Sequence, residues 1–112
     1  MDLINDIFTL TKQLTASIGQ LKKNGSEYAE AERDYKVLMA QTALQLRADN
    51  TPVTFINLII HGDKKVAELR MKRDIAKVIY ETNIEHINAV KLQIRLLDNQ
   101  VAREWTDTKN KL

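Results

Sequence analysis

The sequence predicts an all-α fold, an antiparallel hairpin of two long helices with a short helix at the elbow, assembling into a helical-bundle homo-oligomer. Three observations predict it. In both halves of the 112-residue chain, apolar residues recur in alternating steps of four and three, the spacing of helices that pack lengthwise. A Pro and a Gly bracket a short apolar segment between the halves. A second apolar stripe lies outside the first. We expect one helical domain over residues 1–112.

The first long helix is predicted over residues 2–48, with a core-facing seam of apolar residues. The residues at this spacing are Leu3, Ile7, Leu10, Leu14, Ile18, Leu21, Tyr28, Ala31, Tyr35, Leu38 and Leu46. Asn24-Gly25-Ser26 interrupts the pattern, but Tyr28 and Tyr35 stay in phase with the leucines before it. We therefore expect one continuous helix with a weak point at Gly25, because a helical Gly costs about 1 kcal/mol relative to Ala.

The connection between the long helices is predicted to hold a short helix over residues 54–61. Residues before a proline avoid the helical region, so Asp49-Asn50-Thr51-Pro52 should end the first helix. Thr54 is the expected N-cap of the short helix, and Gly62 is expected to close it as a left-handed C′ residue. The β-branched content of Val53–Ile60 allows two strands instead, but the capping residues favour a helix.

The second long helix is predicted over residues 63–105, with Asp63 as its N-cap and residues 106–112 frayed. Its seam residues are Val66, Leu69, Arg73, Ala76, Tyr80, Asn83, Ile87, Val90, Ile94, Leu97 and Val101. With the helix ends as the elbow, Leu14 should face Leu97 and Tyr28 should face Asn83.

A second stripe of apolar residues falls outside these seams. Its members are Met39, Ala43, Ile75, Ile79, Ile84, Leu92 and Leu96. A two-helix hairpin cannot bury both sides of its helices, and a long exposed stripe marks a protein interface. The expected assembly is a homo-oligomer, most simply a two-fold dimer that forms a four-helix bundle.

Composition excludes several classes of function. The sequence has no Cys and only two His, which argues against a disulfide framework, a thiolate nucleophile and a structural zinc site. It contains no phosphate-binding Gly loop and no zinc-protease motif, so we expect neither an enzyme nor a cofactor. No apolar run approaches a membrane span, and a net charge of +2 is too small to indicate a nucleic-acid partner.

The best functional clue is a polar and aromatic interruption of the seams. The residues of the candidate ligand site are Tyr28, Tyr35, Thr54, Lys65, Arg70, Arg73, Tyr80 and Asn83. In this hypothesis the tyrosines stack on bases, the cations hold phosphates, and Thr54 and Asn83 supply hydrogen bonds. Two structural interpretations compete with it. The polar tips could simply reach the surface while the rings pack, or they could fix one helix register.

The order of several short segments carries a resemblance that covers nearly the whole chain. These segments are Asn24-Gly25, Ala29–Lys36, Pro52-Val53-Thr54, Val66–Arg70, Arg73-Asp74 and Arg103-Glu104-Trp105. They resemble a family of small helical proteins that tailed phages and prophages of Gram-positive bacteria encode. The resemblance implies an accessory gene product in the host bacterial cytoplasm, from genes near recombination and replication genes or among those that counter host defence. It implies no residue roles.

Two functional hypotheses follow. The first is a non-enzymatic phage accessory protein that binds and sequesters a small phosphorylated ligand, such as a nucleotide immune messenger of the host. The alternative is a recombination or replication accessory, or an inhibitor, that binds a host or phage protein or single-stranded DNA. A single-strand binder should interleave aromatic and basic residues in one groove. Here the tyrosines lie on the seam, away from the lysine-rich face, which disfavours nucleic acid.

Overall fold

The computed structural model describes residues 2–111, which form three α-helices and no strand. They are α1 (Leu3–Ala48), α2 (Val53–Gly62) and α3 (Lys64–Lys111). The all-α class is confirmed, as is the order of a long, a short and a long helix. The two-strand alternative for Val53–Ile60 is wrong, because that segment lies within α2.

The chain groups into two compact units. The first combines the chain up to Lys22 with the chain from Glu81 onward, and the second is Lys23–Tyr80. In each unit a stretch of α1 packs against a stretch of α3. In the second unit the two stretches are antiparallel, since Tyr28 contacts Tyr80 whereas the later Tyr35 contacts the earlier Arg73. That residues 1–112 behave as one domain stays a prediction.

The end of α1 is set by Asn50 as well as by the following proline. Helix α1 runs through Gly25 without a break, as the phase of its tyrosines predicted. Asn50 adopts the left-handed region with φ 62°. Its N–H donates to the carbonyl of Arg47 at 3.1 Å, and the N–H of Thr51 donates to the carbonyl of Leu46 at 3.0 Å. This pair of bonds is a Schellman motif, which satisfies carbonyls that the helix end would otherwise leave free.

The ends of α2 differ from the prediction. The helix begins at Val53, so Thr54 is not its N-cap but an exposed residue of the first turn. Pro52 precedes the helix, and its carbonyl accepts the N–H of Phe55 at 2.9 Å. The fixed φ of proline therefore starts the turn without a side-chain cap. Gly62 is the last residue of α2 and has no positive φ, so the left-handed closure predicted there is wrong.

Asp63 both ends α2 and caps α3. Its extended backbone, with φ −66° and ψ 129°, ends α2 and removes the need for a left-handed glycine. Its carboxylate Oδ2 then accepts the N–H of Val66 at 3.0 Å, which caps α3 as predicted.

Helix α3 is longer than expected. Residues 106–111 are helical, so the predicted fraying of this segment is wrong; Leu112 lies outside the described residues. Although the seam stops near Val101, no Gly or Pro follows it. Each further residue adds one backbone hydrogen bond, so the helix continues although residues 106–110 are exposed. The hydroxyl of Thr106 also donates to the carbonyl of Ala102 at 3.0 Å.

The predicted seams are confirmed with one exception. Every predicted seam residue of α3 is buried or half-buried. In α1, however, Ile18 is 48% exposed, and the half-buried Ser17 occupies the seam position between Leu14 and Leu21. A strict seven-residue repeat places position 17 on the seam, whereas hydrophobicity alone favours the neighbouring Ile18.

The predicted register between the long helices is wrong. Tyr28 packs on Tyr80, about one helical turn before its predicted partner Asn83, and Asn83 bonds Ser17, about three turns before Tyr28 on α1. The reason is the position of α2. The hydrophobic core of the second unit contains buried and half-buried residues of all three helices, namely Tyr35, Leu38, Met39, Ala43, Leu46, Ile56, Ile60, Val66 and Leu69. Because α2 covers the last turns of α1, α3 begins its pairing further back along α1.

Within residues 2–111, none of the three helices combines the length and the apolar content that crossing a lipid bilayer requires.

Candidate functional site

Two of the predicted stacking tyrosines pack on each other in the second unit. The ring centroids of Tyr28 and Tyr80 lie 5.9 Å apart with the planes tilted by 34°, a common arrangement for aromatic pairs. Gly25 lies under the Tyr80 ring. A Cβ atom at position 25 would sit 3.1 Å from Cε1 of Tyr80. The glycine in the middle of α1 therefore makes room for an aromatic side chain.

Arg73 is enclosed by charge and by an aromatic ring. Its Nε donates to Asp74 Oδ1 at 2.7 Å, and its Nη1 donates to the carboxylate of Glu32 at 3.4 Å. Its Cζ lies 4.7 Å from the centroid of the buried Tyr35 ring, within cation–π range. Lys36 Nζ also pairs with Glu32, at 3.3 Å from its Oε1. We call these five side chains the Arg73 network.

The electrostatics of the Arg73 network favour the charged forms of Arg73 and Glu32. The hydrogen bond to Asp74 raises the pKa of Arg73, against the opposite effect of burial. Burial alone would raise the pKa of Glu32, but the hydrogen bonds from Lys36 and Arg73 outweigh it and lower that pKa. A phosphate would have to displace two carboxylates from the guanidinium. The geometry therefore favours register control for Arg73, while the ligand site stays a hypothesis.

The remaining predicted site residues are spread over other surfaces. Thr54 and Lys65 are exposed, on α2 and at the start of α3. Arg70 is half-buried and borders a shallow groove on the outer face of α3, beside Met71 and Ile75. The structure thus brings Tyr28, Tyr35, Arg73 and Tyr80 into the second unit's seam and places these three elsewhere.

Asn83 belongs to the first unit and forms a buried polar pair there. Its Nδ2 donates to the carbonyl of Ser17 at 3.0 Å and to the hydroxyl Oγ of Ser17 at 2.9 Å. Asn83 is 9% exposed, so these hydrogen bonds are shielded from water. A buried amide that is hydrogen-bonded across two helices favours one register of the pair, which explains its place on the seam.

A large apolar face of α3 is exposed in the second unit. Its members are Met71 (60% exposed), Ile75 (53%), Val78 (61%) and Ile79 (48%). The sequence predicted Ile75 and Ile79 as stripe residues but missed the other two. The step of four and then three from Met71 through Ile75 to Val78 could have found them. We call these four residues the outer apolar face.

Other parts of the predicted second stripe have mixed outcomes. Leu92 and Leu96 of the first unit are exposed, as expected. Met39 and Ala43 are wrong as stripe residues, because they pack against the core cluster of the second unit. Ile84 is half-buried. The errors on α1 arise because the core that includes α2 covers the side of α1 that the sequence left open.

A groove between α1 and α3 runs beside the outer apolar face. Its lining residues are Glu27, Glu30, Ala31 and Asp34 from α1 and Lys72, Ile75, Ala76 and Ile79 from α3. Carboxylates form its α1 edge, and a lysine and two isoleucines form its α3 edge. Taken from the sequence alone, Glu30 and Asp34 look like an ordinary solvated helix face. We call this feature the carboxylate-edged groove.

Comparison with known proteins gives no relative for this chain: no family model, curated protein or solved structure matches it. Within residues 2–111, no three His, Asp or Glu side chains are grouped as metal ligands would be.

Proposed function

We propose that this chain is a non-enzymatic helical protein that works by binding other polypeptide chains along its exposed helix faces. The observation that carries the proposal is the outer apolar face of α3. Monomeric soluble proteins rarely leave a contiguous apolar patch in water without a partner, and single scattered apolar residues would not support the same inference.

The size of the exposed side chains indicates how much free energy their burial in an interface would contribute. Full burial of a Met, Val or Ile side chain is worth about 1.5–3 kcal/mol, and the four residues of the outer apolar face are each about half exposed or more. Their spacing along one side of a helix matches the recognition mode in which apolar residues of one helix enter a groove of another protein.

The hypothesis of a sequestered phosphorylated ligand has less geometric support. Its central cation, Arg73, is already paired with Glu32 and Asp74, and its tyrosines pack within the protein. Protein binding accords with the second hypothesis from the sequence, an accessory or inhibitor. From the resemblance to phage and prophage proteins, we further propose that the partners are proteins of the phage or of its bacterial host.

Site-specific photocrosslinking tests the proposal. A photoreactive amino acid at Ile75 should form adducts with polypeptides in cells that express the protein. The matched control is Lys77, which is exposed but lies two residues on and therefore on the other side of α3. Absence of polypeptide adducts at Ile75, or equal adducts at Lys77, would contradict the proposal.

A further inference from the structure

The carboxylate-edged groove has opposite charges on its two edges. The α1 edge carries Glu27, Glu30 and Asp34. Arg33 pairs with Glu30 at 3.6 Å and with Asp34 at 3.1 Å, but three carboxylates against one guanidinium leave this edge acidic.

The α3 edge is basic. Lys72 lines the groove, and Lys65 lies one seven-residue repeat earlier, on the same side of the helix. Glu68 lies between these lysines, so the edge has a smaller net charge than the α1 edge but the opposite sign. A surface with one acidic and one basic edge is complementary to a copy of itself.

We propose that the carboxylate-edged groove docks a second copy of this chain, in a two-fold dimer that forms a four-helix bundle. The inference rests on the proposed function and names one of its partners. In a two-fold dimer the same patch serves both copies, so a contact from Asp34 to Lys72 of the other copy occurs twice.

The charges also select how the two copies are oriented. A two-fold axis perpendicular to the helices would place α1 on α1 and bring the acidic edges together. An axis parallel to the helices places α1 of each copy on α3 of the other, at the same level along the helices. Carboxylates then face Lys72 in both halves of the interface. Because juxtaposed like charges oppose association, the structure favours the parallel axis.

The apolar lining fits the same arrangement. Ala31 and Ala76 form the floor of the groove, and Ala31 is buried. Small residues on the floor leave space for Ile75 and Ile79 of the second copy. These isoleucines are about half exposed in a single copy. In the dimer, the isoleucines of each copy would pack over the alanines of the other. Apolar burial would then supply the affinity, and the charged edges the orientation.

Charge reversal tests the interface. By light scattering and sedimentation, the wild type should be a dimer of a 12.9 kDa chain. Asp34→Lys and Lys72→Glu should each raise the dimer Kd by about tenfold or more, since each change places two like-charge contacts in the interface. The combination of both changes in one chain should restore most of the affinity. Glu85→Lys, at an exposed position of the first unit, is the matched control and should leave the Kd unchanged.

Cysteine crosslinking tests the orientation, since the chain has no cysteine of its own. A mixture of Asp34→Cys chains and Lys72→Cys chains should give a mixed dimer with a short bis-maleimide. Crosslinking of Asp34→Cys chains to each other in preference would overturn the parallel axis.

The two proposals fail in distinguishable ways. A monomeric wild type would overturn self-docking, while polypeptide adducts at Ile75 with another protein would still support the proposed function. A dimer that is insensitive to both charge reversals would show that the second copy binds elsewhere and would overturn the assignment to this groove.

Discussion

Replacement of Gly25 by Ala sets a gain in helix propensity against a steric cost. A helical Gly is about 1 kcal/mol less favourable than Ala. At Gly19, nothing lies within 4 Å of an added Cβ, so Gly19→Ala should stabilise the protein by about 1 kcal/mol. At Gly25 the new Cβ would lie 3.1 Å from Cε1 of Tyr80 and 3.6 Å from its Cδ1 and Cζ. Carbon atoms pack best at about 3.5–4.0 Å, so the ring must move by several tenths of an ångström.

The Tyr28 ring opposes that movement, since its centroid lies 5.9 Å from that of Tyr80. Addition of a methyl group to a packed site costs about 1–3 kcal/mol. After subtraction of the propensity gain, Gly25→Ala should be neutral or destabilise the protein by up to about 2 kcal/mol. It should therefore be less stable than Gly19→Ala by about 1–3 kcal/mol.

Urea unfolding followed by far-UV circular dichroism measures this difference. All variants should be compared at one protein concentration, because association adds to apparent stability. In a Tyr80→Leu background the steric cost should disappear, and Gly25→Ala should then stabilise as Gly19→Ala does. Equal stabilisation by the two glycine replacements in the wild-type background would refute the assigned role of Gly25.

Three further predictions concern the core, the Arg73 network and pH. Ile87 is 6% exposed, so Ile87→Ala should lower the free energy of unfolding by about 2–5 kcal/mol, and a loss under about 0.5 kcal/mol would contradict the seam. If Arg73 only sets register, Arg73→Met should change stability by less than about 1 kcal/mol, as measured by thermal melts. Calorimetry with cyclic nucleotides and ADP-ribose derivatives should then show no binding to the wild type, whereas binding that Arg73→Met abolishes would establish a ligand site. The lowered pKa of Glu32 means that its charged form stabilises the fold above its ordinary pKa and that this contribution is lost as the pH falls through the lowered value. Glu32→Gln should remove that part of the acid sensitivity in pH-dependent unfolding, and an unchanged pH profile would contradict the ion pair.

Periodicity in the sequence is sufficient to predict the long helices but not to predict the register between them. The seam of α3 follows a seven-residue repeat, so its members could be found without any knowledge of the partner helix. Ser17 was missed because hydrophobicity favoured the adjacent Ile18, although the repeat requires position 17. The register depends on how much of α1 the short helix α2 covers, which is a tertiary packing property and has no local signal.

The candidate site was predictable only where it lies on the seam. Tyr28, Tyr35, Tyr80 and Arg73 share the second unit because their spacing places them on facing sides of α1 and α3. The partner that changes the interpretation of Arg73 is Glu32, which lies outside the predicted seam of α1 and meets the guanidinium only in the observed register. The sequence predicts that these seam residues cluster. It does not predict that Glu32 and Asp74 neutralise the charge of Arg73.

The seven-residue repeat that keeps its phase along α1 and α3 limits how the length of this chain can change. An insertion of one residue would rotate all later side chains by about 100° and take them off the seam. Removal of seven residues preserves the phase, provided that the facing stretch of the other helix loses seven as well. A chain without residues 8–14 and 91–97 should therefore fold and keep the bond between Ser17 and Asn83, whereas deletion of residue 8 alone should take the buried Leu3 and the half-buried Ile7 off the seam. Natural variants of this fold should differ in length by sevens, and in both long helices at once.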